Sequence, residues 1–134
     1  MAKAIKTSHV SKAGYINYFI KAQEFLSSAQ DSLVKEKWNA AGLNAIHAGI
    51  SSADALLVSL HGIRSSGPKH DDILKLLSSL VRHKGLEENI NHLRHLISMK
   101  NIVEYDQRLI AQSEAINLSK HAERFLVWVK SVLP

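Results

Sequence analysis

Residues 38–61 read WNAAGLNAIHAGISSADALLVSLH, and this stretch decides the fold. Its apolar residues recur at steps of three and four, which is the period of an α-helix. Small side chains crowd the same stretch, and two of them are the glycines Gly42 and Gly49. An interior glycine costs a helix about 1 kcal/mol relative to alanine. Because small side chains let a neighbouring backbone come close, we predict a central, most buried helix in which close packing compensates for the glycines.

Segments with the same helical period lie on both sides of this stretch. Gly62 is expected to end the central helix in the left-handed conformation, and Gly67 with Pro68 breaks the loop that follows. No strand-like alternation extends over more than a few residues. The sequence therefore predicts an all-α protein, an up-and-down bundle of four to five antiparallel helices. The flanking helices are predicted over about 12–37, 70–83, 86–100 and from about 113 to the end of the chain.

The length of 134 residues fits a single domain over residues 1–134, in which the polar and basic residues 1–11 are expected to form a loose tail. The sequence has no cysteine, which excludes disulfides, thiolate metal sites and cysteine nucleophiles. Its beginning lacks an apolar core of signal-peptide length, and no stretch approaches the ~20 apolar residues that span a bilayer. We expect a cytoplasmic protein without a membrane segment.

The charge is mildly basic. Lys and Arg number 17 and Asp and Glu 12, which gives a formal net charge of +5. This excess permits an anionic partner such as RNA or a nucleotide, although a well-solvated surface would have the same composition.

Histidine is frequent, but its spacing does not predict a metal site. His92 and His95 are three residues apart and share a helix face, yet no third ligand stands near them in the sequence. We therefore predict neither a bound metal nor another cofactor.

The segment 99–106, MKNIVEYD, gathers a cation, an amide, a carboxylate and a phenol at the end of a predicted helix. These groups are Lys100, Asn101, Glu104 and Tyr105, and they are candidates for catalysis or phosphate binding. A solvated helix end would have a similar composition, so this alternative stays open.

Three further residues could contribute to a site. Arg64 and His70 bracket the loop before the third helix, and this pair could bind a phosphate at the helix start with help from free backbone N–H groups. His70 could equally be an ordinary residue near a helix start. His47 lies on an apolar row of the central helix and is either a buried, hydrogen-bonded histidine or a polar group that faces a groove.

These features together resemble the HEPN domain, a helical nucleotide-binding module of prokaryotes and higher eukaryotes. Four parts of the sequence carry the resemblance, in matching order over nearly the whole chain. They are YFIKAQEFLSSA at 18–29, the alanine-rich run with Asn44, His47 and ADALL at 53–57, PKHDDILKLL at 68–77, and the stretch from Lys100 to Asp106.

The resemblance implies a metal-independent ribonuclease as one activity. Ribonuclease members carry an arginine, usually followed by a polar residue, and a histidine four to six residues later, and two protomers form the site at a dimer interface. In this sequence Lys100 and Asn101 could replace the arginine and the polar residue after it, and Tyr105 could replace the tyrosine often found just beyond the histidine. No histidine lies between Lys100 and the last helix. Glu104 could then act as the base. Arg64 and His70 fit the literal spacing in a different loop.

Three functional hypotheses follow. The first is a HEPN-type domain of a toxin–antitoxin or defence module that forms a homodimer and binds RNA, a nucleotide or a partner such as a cognate antitoxin or nucleotidyltransferase. Lys69, Lys100 and His47 would contact the nucleic acid or nucleotide. The second is a ribonuclease that uses the residues named above. The third is a non-catalytic helical module that binds other proteins.

Overall fold

The computed structural model describes residues 4–134 and confirms the all-α bundle. A 3-10 turn at Lys12–Gly14 precedes the first helix, and two short strands, β1 (Thr7–His9) and β2 (Ile63–Ser65), form an antiparallel pair. The helices are α1 (Tyr15–Val34), α2 (Trp38–His61), α3 (Asp71–Leu80), α4 (Leu86–Ser98), the single turn α5 (Lys100–Glu104) and α6 (Gln112–Val132).

Helix α2 is the central helix, as predicted. More than half of its residues are buried, and α1, α4 and α6 pack around it. The two glycines are where neighbours come closest. A Cβ atom on Gly49 would lie 2.5 Å from Leu96 Cδ1 of α4, and one on Gly42 would lie 2.6 Å from Ile110 Cδ1. These contacts confirm the close packing that was expected to compensate for glycine inside a helix.

The same helix is long and apolar enough to cross a membrane, although no membrane segment was expected from the sequence. In the structure, 67% of the 18-residue apolar stretch of this helix is buried inside the bundle. Its apolar character is therefore explained by packing against the other helices.

The prediction of a loose tail over residues 1–11 is wrong for residues 7–9. Residues 1–3 of that segment lie outside the described residues. Ser8 pairs with Arg64 in the strand register, and the Val10 N–H donates to the Gly62 carbonyl at 2.8 Å. Gly62 has the predicted left-handed conformation, with φ 64°, and turns the chain from α2 into β2. A three-residue strand is too short to show a period in the sequence, so the pairing was missed.

The end of the predicted fourth helix also differs. Helix α4 ends at Ser98, and α5 begins a new turn at Lys100 after Met99. The Met99 N–H donates to the Leu96 carbonyl, three residues back, which tightens the chain at this point. Tyr105 and Asp106 both donate their N–H groups to the Asn101 carbonyl and so end α5.

We predict that Gly49→Val destabilises the protein by about 1–3 kcal/mol. The added side chain would enter space occupied by Leu93 and the fully buried Leu96. Urea unfolding monitored by circular dichroism measures the change. Gly14→Val is the matched control, because a Cβ atom there meets only Val10, at 3.4 Å. Equal stability losses in the two variants would contradict the close-packing explanation.

Candidate functional site

The fold brings together the two polar segments that the sequence left apart. His70 is the residue at the start of α3, and His47 lies on α2. Burial lowers the pKa of both histidines from the ordinary value, and the charge of Lys100 on α5 lowers each further, whereas Glu104 raises them. Helix α2 packs against both α3 and α5, which brings the elements that carry these residues together. We call the surface formed by His47, Asp54, Arg64, His70, Lys100 and Glu104 the polar face.

Lys100 is occupied within this face. It is only 6% exposed, and its ammonium group donates a hydrogen bond to Glu104, one turn further along α5. The same ammonium lies 5.2 Å from the centre of the Tyr105 ring. The hydrogen bond from Lys100 lowers the pKa of Glu104, which keeps that carboxylate ionised. A cation so paired has little capacity left for a phosphate, so Lys100 is placed to hold α5 in position.

The other two candidates of this segment point to solvent. Tyr105 is 74% exposed. Asn101 is also exposed, and its backbone carbonyl is used to end the helix. The structure therefore joins Lys100, Glu104 and Tyr105 in one cluster and leaves the Asn101 side chain outside it.

His47 is part of the polar face, and its ring also contacts an aromatic ring. Its ring centre lies 5.6 Å from that of Phe25 on α1. The residue is half-buried, and no side-chain hydrogen bond joins it to another residue within 4–134. This half-buried position lies between the two interpretations from the sequence, and both stay predictions.

Arg64, Lys69 and His70 come together as the sequence suggested, around a cavity of about 270 Å³. The cavity lies between α2, β2 and the loop that leads into α3. Lys69 and His70 are exposed, whereas Arg64 is partly covered. The complete lining is Ile50, Asp54, Arg64, Ser65, Ser66, Gly67, Lys69, His70 and Ile73.

Asp54 is a member of this cavity that the sequence indicated only as part of the ADALL run at 53–57. It is 4% exposed, and its Oδ2 atom lies 3.5 Å from Arg64 Nη2. Burial raises the pKa of Asp54 to about 6, and the charge of Arg64 opposes that rise. Arg64 in turn lies over the Tyr18 ring, 5.4 Å from its centre. A carboxylate on the apolar face of a buried helix was the signal that could have identified this residue.

A second group of polar residues lies away from the cavity, on α4 and α6. His121 is the third histidine that the sequence did not place beside His92 and His95. The Nδ1 atoms of His92 and His121 are 2.9 Å apart, and the His95 and His121 rings stack with centres 4.6 Å apart. Within residues 4–134, no group of three potential ligands has an arrangement that holds a metal ion.

The protein is a small helical bundle. It presents charged groups from several elements at one surface, the polar face. A family model described as the HEPN domain matches residues 17–132, which include nearly all of the bundle. The chain therefore belongs to the HEPN domain family, a family of nucleotide-binding and ribonuclease-type domains. No curated protein matches the sequence significantly.

We predict that the histidine cluster makes the fold sensitive to acid. Burial, followed by neighbouring cations, lowers the pKa of His92 and His121 below the ordinary value of 6.5. Folding therefore favours the neutral rings, so their contribution is present above pH 6.5 and is lost as the pH falls toward their lowered values. His121→Gln should reduce the loss of unfolding free energy between pH 7.5 and pH 5.

Chemical denaturation at both pH values measures this difference. His9→Gln is the control, because it removes an exposed histidine outside the cluster. The explanation fails if His121→Gln retains the full pH dependence of the original protein.

Proposed function

We propose that this HEPN domain binds RNA or a nucleotide at the polar face. The single observation that supports the proposal is the convergence of residues from α2, β2, α3 and the loop before α3 around one cavity. Lys69 is exposed and has no ion-pair partner within residues 4–134, and Arg64 is 43% exposed at its side chain. Lys69, rather than the paired Lys100, is suited to contact phosphate, and Arg64 is available to another part of the ligand.

The start of α3 supports the same proposal. Backbone N–H groups at the beginning of a helix favour an anion, and no side chain caps this helix, although the N–H groups of Asp72 and Ile73 already donate to the carbonyls of Lys69 and His70. The carboxylates of Asp71 and Asp72 in its first turn already interact with the positive end of the helix dipole. Phosphate binding here would therefore depend on Lys69 and on the overall positive charge of the protein.

We further propose that the domain acts as a homodimer in a toxin–antitoxin or defence module in the cytoplasm, with a cognate antitoxin or a nucleotidyltransferase as a partner. Tyr105 and Leu109 support an association surface beside the polar face, because they are 74% and 76% exposed. A second protein surface would remove these apolar groups from water. Light scattering after size-exclusion chromatography determines whether two copies associate.

We predict that single-stranded RNA of about 12 nucleotides binds the protein with an affinity that falls as salt rises. Lys69→Ala should weaken binding and reduce the slope of log affinity against log salt by about one. His70→Ala should weaken binding with less change in slope, because burial and Lys100 lower the pKa of His70 and keep its ring neutral. Fluorescence anisotropy of labelled RNA measures both effects.

Lys130→Ala is the matched control for Lys69→Ala, because Lys130 is exposed on α6 and does not line the cavity. Both variants lose one positive charge. Salt-independent binding, or an equal loss in both lysine variants, would count against the polar face as the binding surface.

The second candidate function is metal-independent ribonuclease activity, and one observation favours it. Arg64 and His70, which fit the family's arginine–histidine spacing, line the same cavity. A neutral His70 could accept the proton of a ribose 2′-hydroxyl while Arg64 holds the phosphate. Lys100 is less suited to the arginine role because Glu104 binds its ammonium group.

For this second candidate, we expect cleavage of total RNA in the presence of EDTA. His70→Ala should abolish it, because His70 is the one imidazole among the residues that line the cavity. Tyr105→Phe should leave it intact, because Tyr105 does not line the cavity. Gel analysis of the RNA provides the measurement, and an absence of cleavage by the unmodified protein would remove the ribonuclease hypothesis.

A further inference from the structure

The buried carboxyl group of Asp54 is incompletely paired. Its Oδ1 atom has no hydrogen-bond partner within residues 4–134. Its Oδ2 atom faces Arg64 at 3.5 Å, which is longer than a good hydrogen bond to a charged group. Buried polar atoms normally have partners, because an unpaired one costs about 1–3 kcal/mol. An unpaired carboxyl oxygen in the wall of a cavity therefore indicates a missing partner.

Arg64 has the complementary deficiency. Its Nε atom is also buried without a partner among the described residues, and it belongs to the same cavity wall. The guanidinium group is partly exposed and lies over Tyr18. Because its contact with Asp54 is long, a small movement of Arg64 would uncover the carboxyl group. The wall then presents an acceptor beside a donor.

This pairing restricts the kind of ligand. A free phosphate would satisfy Arg64 but would be repelled by Asp54, and an apolar ligand would leave both atoms unpaired. A metal ion would meet a single carboxylate next to a guanidinium cation. A planar group with a donor next to an acceptor satisfies both atoms, and the edges of nucleobases have that pattern.

We propose that this cavity binds a nucleobase, whose amino or imino group donates to Asp54 and whose adjacent ring nitrogen or carbonyl accepts from Arg64. The inference rests on the proposed binding of RNA or nucleotides and names the part of the ligand that is recognised. The volume of about 270 Å³ is at the small end for ligand sites, as a single base requires. Lys69 and His70 line the same cavity, where the sugar phosphate would lie.

The central experiment compares the affinity of the full chain for the monophosphates of adenosine, guanosine, cytidine and uridine with that for ribose 5-phosphate, by calorimetry at pH 7.5. We expect at least one nucleotide to bind about tenfold more tightly than ribose 5-phosphate, since a hydrogen bond to a charged group contributes that much. Equal affinity for all five compounds would overturn base recognition.

Asp54→Leu tests the carboxyl group with a side chain of similar size. We expect nucleotide affinity to fall about tenfold to the level of ribose 5-phosphate, with the melting temperature unchanged or raised, because an unpaired buried polar group has been removed. A lower melting temperature with unchanged nucleotide affinity would show that Asp54 is structural. Asp54→Asn, which keeps the shape and one acceptor oxygen, should give an intermediate affinity and serves as a second test.

Ser119→Ala is the matched control. It also removes a buried oxygen that has no partner within the described residues, but on α6 and outside the cavity, so nucleotide affinity should not change. Since the pKa of Asp54 is about 6, the preference of the unmodified protein for nucleotides should weaken at pH 5. The two proposals fail differently: without salt-dependent RNA binding the proposed function fails, whereas RNA binding with no preference for nucleotides over ribose 5-phosphate overturns only base recognition.

Discussion

The close contact of α2 with its neighbours is the constraint on which the rest of the structure depends. At Gly49 the backbone of α2 lies against Leu96 of α4, and at Gly42 it lies against Ile110, which precedes α6. These contacts surround α2 with other helices along most of its length. Any polar residue on α2 must then either reach an edge of the bundle or be buried. His47 reaches the edge beside α5, and Asp54 is buried beside β2.

The two ion pairs of the polar face differ in how completely their atoms are paired. This difference distinguishes a pair that stabilises the fold from a pair that could bind a ligand. Lys100 and Glu104 are neighbours on one turn of α5 and form a hydrogen bond. Asp54 and Arg64 come from different elements, face each other at 3.5 Å, and keep one buried atom each without a partner among residues 4–134. A satisfied local pair stabilises the turn that contains it. A pair that leaves buried atoms without partners in a cavity wall reduces stability unless another molecule in the cavity supplies those partners.

The sequence was sufficient for the architecture because long amphipathic helices and glycine signals are local. The bounds of α2 and the left-handed Gly62 could be predicted from residue spacing and from the chemistry of glycine. The short strand β1 could not, because three exposed residues have no measurable period and its pairing with β2 is a contact across more than fifty residues. The break at Met99 depends on backbone hydrogen bonding, which the residue types at this position do not predict.

The candidate site was predicted as residues but not as an arrangement. Lys69, Arg64 and His70 are close in sequence, so their shared cavity could be expected. That His47 and Lys100 would lie near His70 depends on how α2, α3 and α5 pack, which spacing alone does not determine. The roles changed for the same reason: the lysine at the family's arginine position is held by Glu104, and the cation with an unpaired atom is Arg64. Among residues 4–134, the unpaired buried atoms of the polar face therefore lie in the cavity before α3, whereas the segment that resembles the family signature is paired within itself.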